Sequence, residues 1–426
     1  MAIKGSGSPM EAVDEYFDML IKSRFNEMFG SVKGNEKGLK KSTLNTICHQ
    51  IVDGSHNPSK GGNPSDYLML SSKNVIDGSI THDNPRYLSK EDFDLEDKRT
   101  RVRPGDILMT IVGTIGRTAI VPKNAGNLTF QRSVAVLHID HQQIDPVFLK
   151  SCLDSIQADI DAEAHGSSQK GIYLNQVEKI PVLVPDLSIQ KKFSSFVQQV
   201  DKSKAIVQKY IDKYDLLVKS RFIEEFGAID LSAQKPEWKE ISSLGKILTG
   251  STPKTNVPEY WDGEIKWIAP AELTSETFYV YDTERKITEE GRKSCSLNVL
   301  KPGVVLLSSR APIGKVAIVG SEMYCNQGFK NIECGPELNN VYLYILLKYN
   351  TKYLDSLGRG ATFKEISAKI VAGIRIPAPP RAQQDRFEEF IKQVDKSKFE
   401  VVQSLLRLKS KYIRTETPSK RTDCDL

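Results

Sequence analysis

Residues 189–227 read IQKKFSSFVQQVDKSKAIVQKYIDKYDLLVKSRFIEEFG, and this stretch decides the fold. Its seam positions recur at alternating steps of four and three residues, at Ile189, Phe193, Phe196, Val200, Ser203, Val207, Tyr210, Tyr214 and Leu217. This heptad period predicts a helix that packs lengthwise against another helix. At about 1.5 Å per residue the helix would be roughly 55–60 Å long. Its stripe cannot be buried without a partner helix.

The partner is encoded in the same chain, because parts of the stretch are repeated. The hexapeptide QVDKSK of residues 199–204 recurs at 393–398, and DMLIKSRF of residues 18–25 corresponds to DLLVKSRF of residues 215–222. The N-terminal copy has the same seam at Met10, Val13, Phe17 and Leu20. It therefore holds the end of the helix, whereas the C-terminal copy holds mostly its start and middle. Such a circularly permuted repeat predicts two similar halves about a pseudo-two-fold axis.

The segments between the helices also correspond to each other. RPGD at residues 103–106 corresponds to KPGV at 301–304, and GTIGRTAIV at 113–121 corresponds to APIGKVAIV at 311–319. Runs of β-branched residues bounded by Gly and Pro predict small sheets. The predicted fold class is α+β, with two paralogous mixed α/β domains separated by long antiparallel coiled-coil helices.

The expected boundaries follow from this plan. They are 1–30 for a leading expression remnant and the N-terminal helix segment, 31–187 for the first domain, 188–227 for the central helix, 228–380 for the second domain, 381–414 for the distal helix and 415–426 for a polar tail that we expect to be disordered.

Composition sets broad limits on function. A chain of 426 residues suggests two or three domains. The net charge of +5 permits nucleic-acid binding without arguing for it. No apolar run approaches the roughly 18 residues that a membrane-spanning helix needs. The six cysteines form no CxxC pair and have no histidine at zinc spacing, so we expect no metal site, and thiols in a reducing cytosol.

The second half carries a family resemblance. Its opening contains PEWKEI at 236–241, TGSTP at 249–253, EYWDG at 259–263 and IKWI at 265–268. Together with the Pro-Gly turn, the paired strands and the small-residue loop before IRIPAP at 374–379, these motifs resemble the specificity subunit of a type I DNA restriction–modification system. The resemblance covers essentially the whole chain. The first half lacks the Trp-based opening and has His49, His56 and Asn57 instead.

The resemblance implies a non-catalytic DNA-recognition subunit. Each domain would be a target-recognition domain that reads half of a bipartite duplex site, and the helices would set the spacing and dock two methyltransferase subunits. S-adenosylmethionine would belong to those partners, and motor and nuclease subunits would join for restriction. The sequence agrees by absence, because it has no adenine-methylase motif, no glycine-rich loop placed for an adenosyl cofactor and no Walker A motif.

Candidate DNA contacts are polar loop residues, since loops on a rigid scaffold often carry binding groups. In the first domain they are Ser55, His56, Asn57, Lys60, Thr114, Arg117, Gln131, Arg132, Ser168, Gln169 and Lys170. In the second they are Ser251, Thr252, Lys254, Ser309, Arg310, Lys315, Asn326, Gln327, Arg359, Thr362 and Lys364. Each of these is as readily explained as a turn former or a solvated charge. Arg310 and Arg359 stand out because small residues surround them, whereas Tyr260, Trp261 and Trp267 are more typical of a core.

Two other classes of function stay open at this point. One is a scaffold that binds only protein, and the other is a self-sufficient DNA methyltransferase. The first would bind no duplex DNA, and the second would transfer methyl groups without a partner.

Overall fold

The computed structural model describes residues 9–76, 78–164, 170–275, 277–310, 312–360 and 364–415, without the side chains of 9–12, 399 and 401–415. The chain divides into two compact units. The first unit comprises residues 15–204, and the second comprises residues 1–14 and 205–426. Of the tail expected at 415–426, Thr415 is the last residue of the helix Arg381–Thr415, and residues 416–426 lie outside the described part.

The helices and strands alternate along the chain. The helices are α1 Pro9–Phe29, α2 Leu44–Ile47, α3 Lys90–Thr100, α4 Pro146–Ser155, α5 Gln157–Ala162, α6 Leu174–Val177, α7 Leu187–Phe226, α8 Ile241–Leu244, α9 Glu289–Lys293, α10 Asn340–Tyr349, α11 Thr351–Ser356, α12 Ala368–Ala372 and α13 Arg381–Thr415. The strands of the first unit are β1 Lys41–Thr43, β2 Cys48–Asp53, β3 Tyr67–Leu70, β4 Val75–Ile76, β5 Ser79–Ile80, β6 Arg86–Tyr87, β7 Ile107–Thr110, β8 Thr118–Ile120, β9 Asn127–Phe130, β10 Val134–Ile139 and β11 Pro181–Leu183. Those of the second are β12 Lys239–Glu240, β13 Gly245–Thr249, β14 Trp261–Ile268, β15 Tyr279–Val280, β16 Lys286–Ile287, β17 Val305–Leu307, β18 Val316–Val319, β19 Tyr324–Cys325, β20 Lys330–Cys334 and β21 Arg375–Ile376.

The predicted long helix is confirmed as α7, which has 40 residues. It ends before Gly227, whose φ of +82° is left-handed and therefore favours glycine. Gly30 has a φ of +70° after α1, as the repeat requires. Two of the three copies of the repeat therefore end in the same way.

The predicted seam is correct from Phe193 to Val207 and wrong at both of its ends. Its first member, Ile189, is 37% exposed beside the buried Gln190. Val200 and Val207 are buried, but Tyr210 is 45% exposed and Leu217 46%. Ile211 is buried in place of Tyr210. A strict heptad repeat drifts by about 20° per heptad on a straight helix, so after several heptads the buried face advances by one residue.

The first unit is built on a four-stranded sheet in the order β2-β10-β7-β8, with antiparallel neighbours. A three-stranded sheet has the order β6-β3-β9, and the pairs β1-β11 and β4-β5 complete the unit. Its main core packs α4, the end of α1 and the start of α7 against the four-stranded sheet. Residues 41–53 form β1, α2 and β2 in direct succession.

The second unit repeats this plan. Its largest sheet has the order β13-β20-β17-β18-β15, in which the first four strands correspond to the four-stranded sheet of the first unit. A three-stranded sheet has the order β16-β14-β19. Its core contains α10, the end of α7 and the start of α13.

An aromatic cluster joins helices to domain in each unit. In the first unit Phe25 lies 5.6 Å from Phe193 and 5.8 Å from Phe148, measured between ring centroids. In the second unit Phe222 lies 5.6 Å from Phe387 and 5.8 Å from Tyr342. The end of one helix thus packs against the start of the next in both units, which confirms the circularly permuted repeat.

A buried glutamine fixes the same junction. The Gln190 amide donates to the Pro185 carbonyl oxygen (2.7 Å) and accepts from the Asp145 backbone N–H (2.8 Å). The Gln384 amide donates to the Pro379 carbonyl oxygen (2.7 Å) and accepts from the Asn339 N–H (2.8 Å). Asp145 and Asn339 also cap α4 and α10, respectively.

The helix pair within each unit is antiparallel. In the second unit the Gln383 amide donates to the Glu225 carbonyl oxygen (2.8 Å), and the Lys398 ammonium pairs with the Asp215 carboxylate (3.2 Å). Residue numbers therefore rise on α13 as they fall on α7. Among the described residues, the longest helices are too polar to qualify as membrane spans.

Candidate nucleic-acid interface

Several candidate residues of the first unit meet at one edge of its four-stranded sheet, the edge formed by strand ends rather than by an outer strand. There β2 and β7 end and β10 begins. The Ser55 N–H donates to the Phe130 carbonyl oxygen (2.8 Å), and the Arg132 N–H donates to the Ser55 carbonyl oxygen (3.0 Å). Ser55 also bridges Gln131. The structure thus brings together Ser55, Gln131 and Arg132, which are distant in sequence.

The turn between β7 and β8 lies at the same edge. Gly113 donates its N–H to the Lys170 carbonyl oxygen (3.1 Å), which places exposed Thr114 near exposed Lys170. The Arg117 N–H donates to the Thr110 hydroxyl (3.0 Å), and Arg117 is the last residue of the turn before β8. Ser168 and Gln169 lie outside the described residues.

His56 is held by a buried carboxylate. Its Nε2 lies 2.6 Å from Asp53 Oδ2, and the Arg99 guanidinium contacts the other oxygen of Asp53. Arg99 also donates from Nε to the Asp53 carbonyl oxygen (2.9 Å). Asn57 and Lys60 are exposed on the same loop. The sequence prediction missed Asp53 and Arg99. A local signal exists only for α3, the helix that contains Arg99, because Ser89 is a standard N-cap residue.

The second unit gathers its candidates at the matching edge. The Thr252 hydroxyl donates to Gln327 Oε1, and the Asn326 amide donates to Thr252 Oγ1 (2.9 Å). The Ser251 N–H donates to the Cys325 carbonyl oxygen (3.0 Å). This side-chain network joins the loop after β13 to the loop before β20.

A second group lies beside that network. Ser309 is fully buried, and Arg310 and Arg359 both pair through their backbone with Glu365. The ammonium of Lys330, which is 8% exposed, donates to the Glu365 carboxylate (3.1 Å). The sequence prediction missed Lys330 and Glu365.

The remaining candidates of the second unit have simpler surroundings. Lys254 and Lys364 are exposed. The Lys315 ammonium donates a hydrogen bond to the Pro270 carbonyl oxygen (3.4 Å). Thr362 lies outside the described residues.

The two edges share one backbone frame. The Thr110 N–H donates to the Arg117 carbonyl oxygen (2.9 Å), and the Ser308 N–H donates to the Lys315 carbonyl oxygen (2.8 Å). The Thr110 and Ser308 hydroxyls accept from the N–H groups of Arg117 (3.0 Å) and Lys315 (2.8 Å). Side chains on this frame can therefore vary while the strand ends stay in place.

A close approach of two backbone segments explains the glycine that follows β2 in the first unit and the glycine that follows β13 in the second. A Cβ at Gly54 would overlap the Phe130 carbonyl oxygen, and one at Gly250 would overlap the Asn326 carbonyl oxygen. Although the first half lacks the Trp-based opening, its Gly54-Ser55 therefore occupies the place of Gly250-Ser251.

Trp261 and Trp267 are core residues, as predicted, and they also hold the loop that follows β13 in the second unit. The Trp267 indole N–H donates to the Ser251 carbonyl oxygen (3.0 Å), and that of Trp261 donates to the Lys254 carbonyl oxygen (3.2 Å). The Arg285 guanidinium carbon lies 3.7 Å from the Trp261 ring centroid, which is close enough for a cation–π contact.

A buried thiol lies at the sheet edge of the second unit. Burial raises the pKa of Cys325, the last residue of β19, to about 12, so its thiol stays protonated near neutral pH. Within the described residues, His, Cys, Asp and Glu form no group of three that could hold a metal ion.

A family model described as "Type I restriction modification DNA specificity domain" matches residues 62–213 and 235–407. The chain belongs to this family. The first match to the specificity-domain model includes β3 to β11, and the second includes β12 to β21. Each of the two sheet edges therefore includes strands that lie within the residues matched by the family model.

The relatives of this specificity-domain chain include proteins of an archaeon and a bacterium. The chain is 38% identical over 184 residues to the type I restriction enzyme MjaIX specificity subunit of Methanocaldococcus jannaschii, which is 42% of this chain and 43% of that protein. It is 24% identical over 327 residues to a putative MjaX specificity subunit of the same organism, covering 72% and 75%. It is 26% identical over 232 residues to the EcoR124I/EcoR124II specificity subunit of Escherichia coli, covering 51% and 56%. The chain thus spans under half the length of the first of these relatives.

A chain in a solved structure described as the basis of complex assembly and conformational transition of the type I R-M system is also similar. It aligns with 87% of this chain and 95% of its own length, at 19% identity and a TM-score of 0.47. The family assignment rests on the family model rather than on this likeness.

Proposed function

We propose that the chain is the DNA sequence-recognition subunit of a type I restriction–modification complex and is not itself catalytic. Each unit reads one half of a bipartite duplex site through the loops at its sheet edge. One observation supports this proposal above the others. The same backbone frame occurs twice with different polar side chains, as two readers of different base sequences require.

The chemistry at the two edges suits DNA. Serine, threonine, asparagine, glutamine and arginine side chains can contact base edges or phosphates. In the first unit Ser55, Gln131 and Arg132 are adjacent, and in the second unit Thr252, Asn326 and Gln327 are joined by hydrogen bonds. Loops held by strand ends and by a buried core keep such groups in fixed positions, which sequence-specific contacts need.

We further propose that the helices set the distance between half-sites and dock two methyltransferase subunits. The duplicated helix junctions give a reason for two equivalent partners. These partners would be N6-adenine methyltransferases that hold S-adenosylmethionine, and motor and nuclease subunits would join them for restriction. The complex would work in the cytoplasm, where its DNA lies.

A domain exchange tests the central proposal. Replacing residues 228–380 by the corresponding segment of a relative should change one half-site and leave the other, because each unit has its own core and loops. The methylated motif is read by sequencing the DNA of cells that carry the exchanged subunit with its methyltransferase. If both half-sites change, the units do not read independently.

Two biochemical assays separate the rival functions. Duplex pools in gel shifts, with and without the methyltransferase, should give bound complexes, whereas a protein-only scaffold would bind none. Incubation of the purified chain alone with DNA and labelled S-adenosylmethionine should give no methyl transfer, whereas a self-sufficient methyltransferase would label the DNA.

A further inference from the structure

A buried lysine joins three loops at the sheet edge of the second unit. The Lys330 ammonium donates to Ser309 Oγ (3.2 Å), to the Gln327 carbonyl oxygen (3.0 Å) and to Glu365 Oε1 (3.1 Å). An ammonium has three N–H donors, and each finds an acceptor on a different segment. Since a buried charge is costly unless it is paired and hydrogen-bonded, this geometry fixes the lysine.

The first unit builds the same backbone without these polar groups. In the second unit Lys330 of β20 pairs with Thr249 of β13. At the corresponding position of the first unit, Ala135 of β10 pairs with Asp53 of β2. The Ser309 N–H donates to the Gly328 carbonyl oxygen (2.7 Å), and at the matching position Ile111 donates to the Ser133 carbonyl oxygen (2.9 Å).

The third position follows from two further bridges. Arg310 pairs with Glu365, as Val112 pairs with Gly171. In the first unit Ile111, Ala135 and Gly171 thus replace the polar set of Ser309, Lys330 and Glu365. The frame therefore forms without the charges, and they are not needed for the backbone.

Glu365 lies between Arg310 and Arg359, the two arginines that stand out in the sequence. Lys330 contacts one carboxylate oxygen of Glu365, and the other lies 3.9 Å from Arg310 Nη1. The backbone N–H and carbonyl of Glu365 pair with those of Arg359 (3.0 and 3.1 Å). Because Lys330 also holds the Gln327 carbonyl, it connects this group to the Thr252 network.

Resting on the function proposed above, we propose that Lys330 and Glu365 are positioning residues that aim the Arg310 guanidinium at a base pair of the half-site read by the second unit. The Arg310 side chain is 36% exposed, so it can reach a ligand while one side faces Glu365. Bidentate contact to guanine needs a defined orientation of the guanidinium plane. The Glu365 carboxylate, held by the buried lysine, attracts one end of the guanidinium across 3.9 Å and so favours one orientation. The first unit reads its half-site without this device.

The test compares variants of the full chain in complex with its methyltransferase. Glu365→Gln keeps the size of the side chain and removes its charge. It should reduce discrimination at one base pair of the second half-site by about five- to hundredfold. Ser309→Ile/Lys330→Ala/Glu365→Gly installs the residues of the first unit and should have the same effect. The readout is methylation of duplex libraries randomised at each half-site, with the melting temperature measured in parallel.

A matched control removes another lysine–carboxylate pair of the same unit. Lys239→Met breaks the exposed pair with Glu337 and should leave both half-sites unchanged. The proposal is overturned if Glu365→Gln retains full discrimination, or if it weakens methylation equally at every sequence. If the triple variant does not fold, the single variant decides. Absence of any sequence preference in the parent complex would instead refute the proposed function.

Discussion

At the scale of single residues, the two sheet edges differ in the side chains mounted on one frame. Arg310 and Arg359 lie on either side of Glu365 in the second unit. We expect Arg310→Ala or Arg359→Ala to weaken binding at particular base pairs of one half-site, by about 1–3 kcal/mol where the contact to guanine is bidentate. Competition binding with single-base substitutions in that half-site measures this. A loss that is the same for all sequences would assign the residue to a phosphate contact.

Sequence reasoning located the loops at this scale but not the partners of their residues. Arg310 stands out in the sequence because small residues flank it, whereas Lys330 begins β20 and has no local signal of a functional position. Its acceptors on Ser309 and Glu365 are far apart in sequence, so only the fold brings them together. Arg99 was missed for the same reason, since its carboxylate partner Asp53 is 46 residues away.

At the scale of helices, the repeated hexapeptide QVDKSK places an acidic residue beside the helix pair of each unit. Desolvation raises the pKa of Asp201, the Lys204 ammonium opposes this, and the Asp18 carboxylate reinforces it. The matched Asp395 has a raised pKa for the same main cause. The effect is modest, because water reaches both residues.

We expect Asp201→Asn and Asp395→Asn each to raise the melting temperature at pH 7.5. A carboxyl whose folded pKa is raised resists ionisation, so the parent loses stability as the pH rises from the ordinary pKa of 3.8 through the folded value. The advantage of the variants should therefore shrink towards pH 4. Calorimetry at several pH values measures it, with Asp212→Asn on an exposed position of α7 as the control. An advantage that does not depend on pH would contradict this origin.

Two large apolar side chains are exposed at matching positions of the repeat. Met19 on α1 is 63% exposed, and Leu216 on α7 is 67% exposed. If the helices dock methyltransferase subunits as proposed, Met19→Ser and Leu216→Ser should each remove one of two bound copies. Native mass spectrometry counts the copies, and Lys209→Ser on the exposed face of α7 is the control. Two copies retained in the double variant would place the docking surface elsewhere.

The helices were the most predictable elements, because their period and their repeats are written in local sequence. The seam of α7 was predicted correctly near Phe193 and shifted by one residue near Tyr210, where the drift of the heptad had accumulated. Strand β9 and helix α3 were missed. The first pairs in parallel with β3, which is distant in sequence, and the second has a very polar surface.

At the scale of the whole molecule, the helices are proposed to act as a ruler. Inserting one heptad near Ala205 in α7 and another near residue 399 in α13 keeps the apolar stripe in register. Each insertion adds about 10 Å, or roughly three base pairs at 3.4 Å each. Three base pairs also rotate the far half-site by roughly a hundred degrees, so the DNA must twist. We expect a spacer longer by about one to three base pairs, weaker binding and unchanged half-sites. Sequencing the methylated motif measures this, and an unchanged spacer with retained activity would refute the ruler.

The division of α7 between the two units has a consequence for the origin of the chain. The boundary between the units falls at Lys204 and Ala205, inside a continuous helix. On the N-terminal side of that point the order is helix end, domain, helix start, and on the C-terminal side it is the same. A tandem duplication of an ancestral gene about half as long accounts for this order. After such a duplication the copies of the helix junction would stay alike while the loop codons diverge, and one gene would come to encode the two readers proposed above.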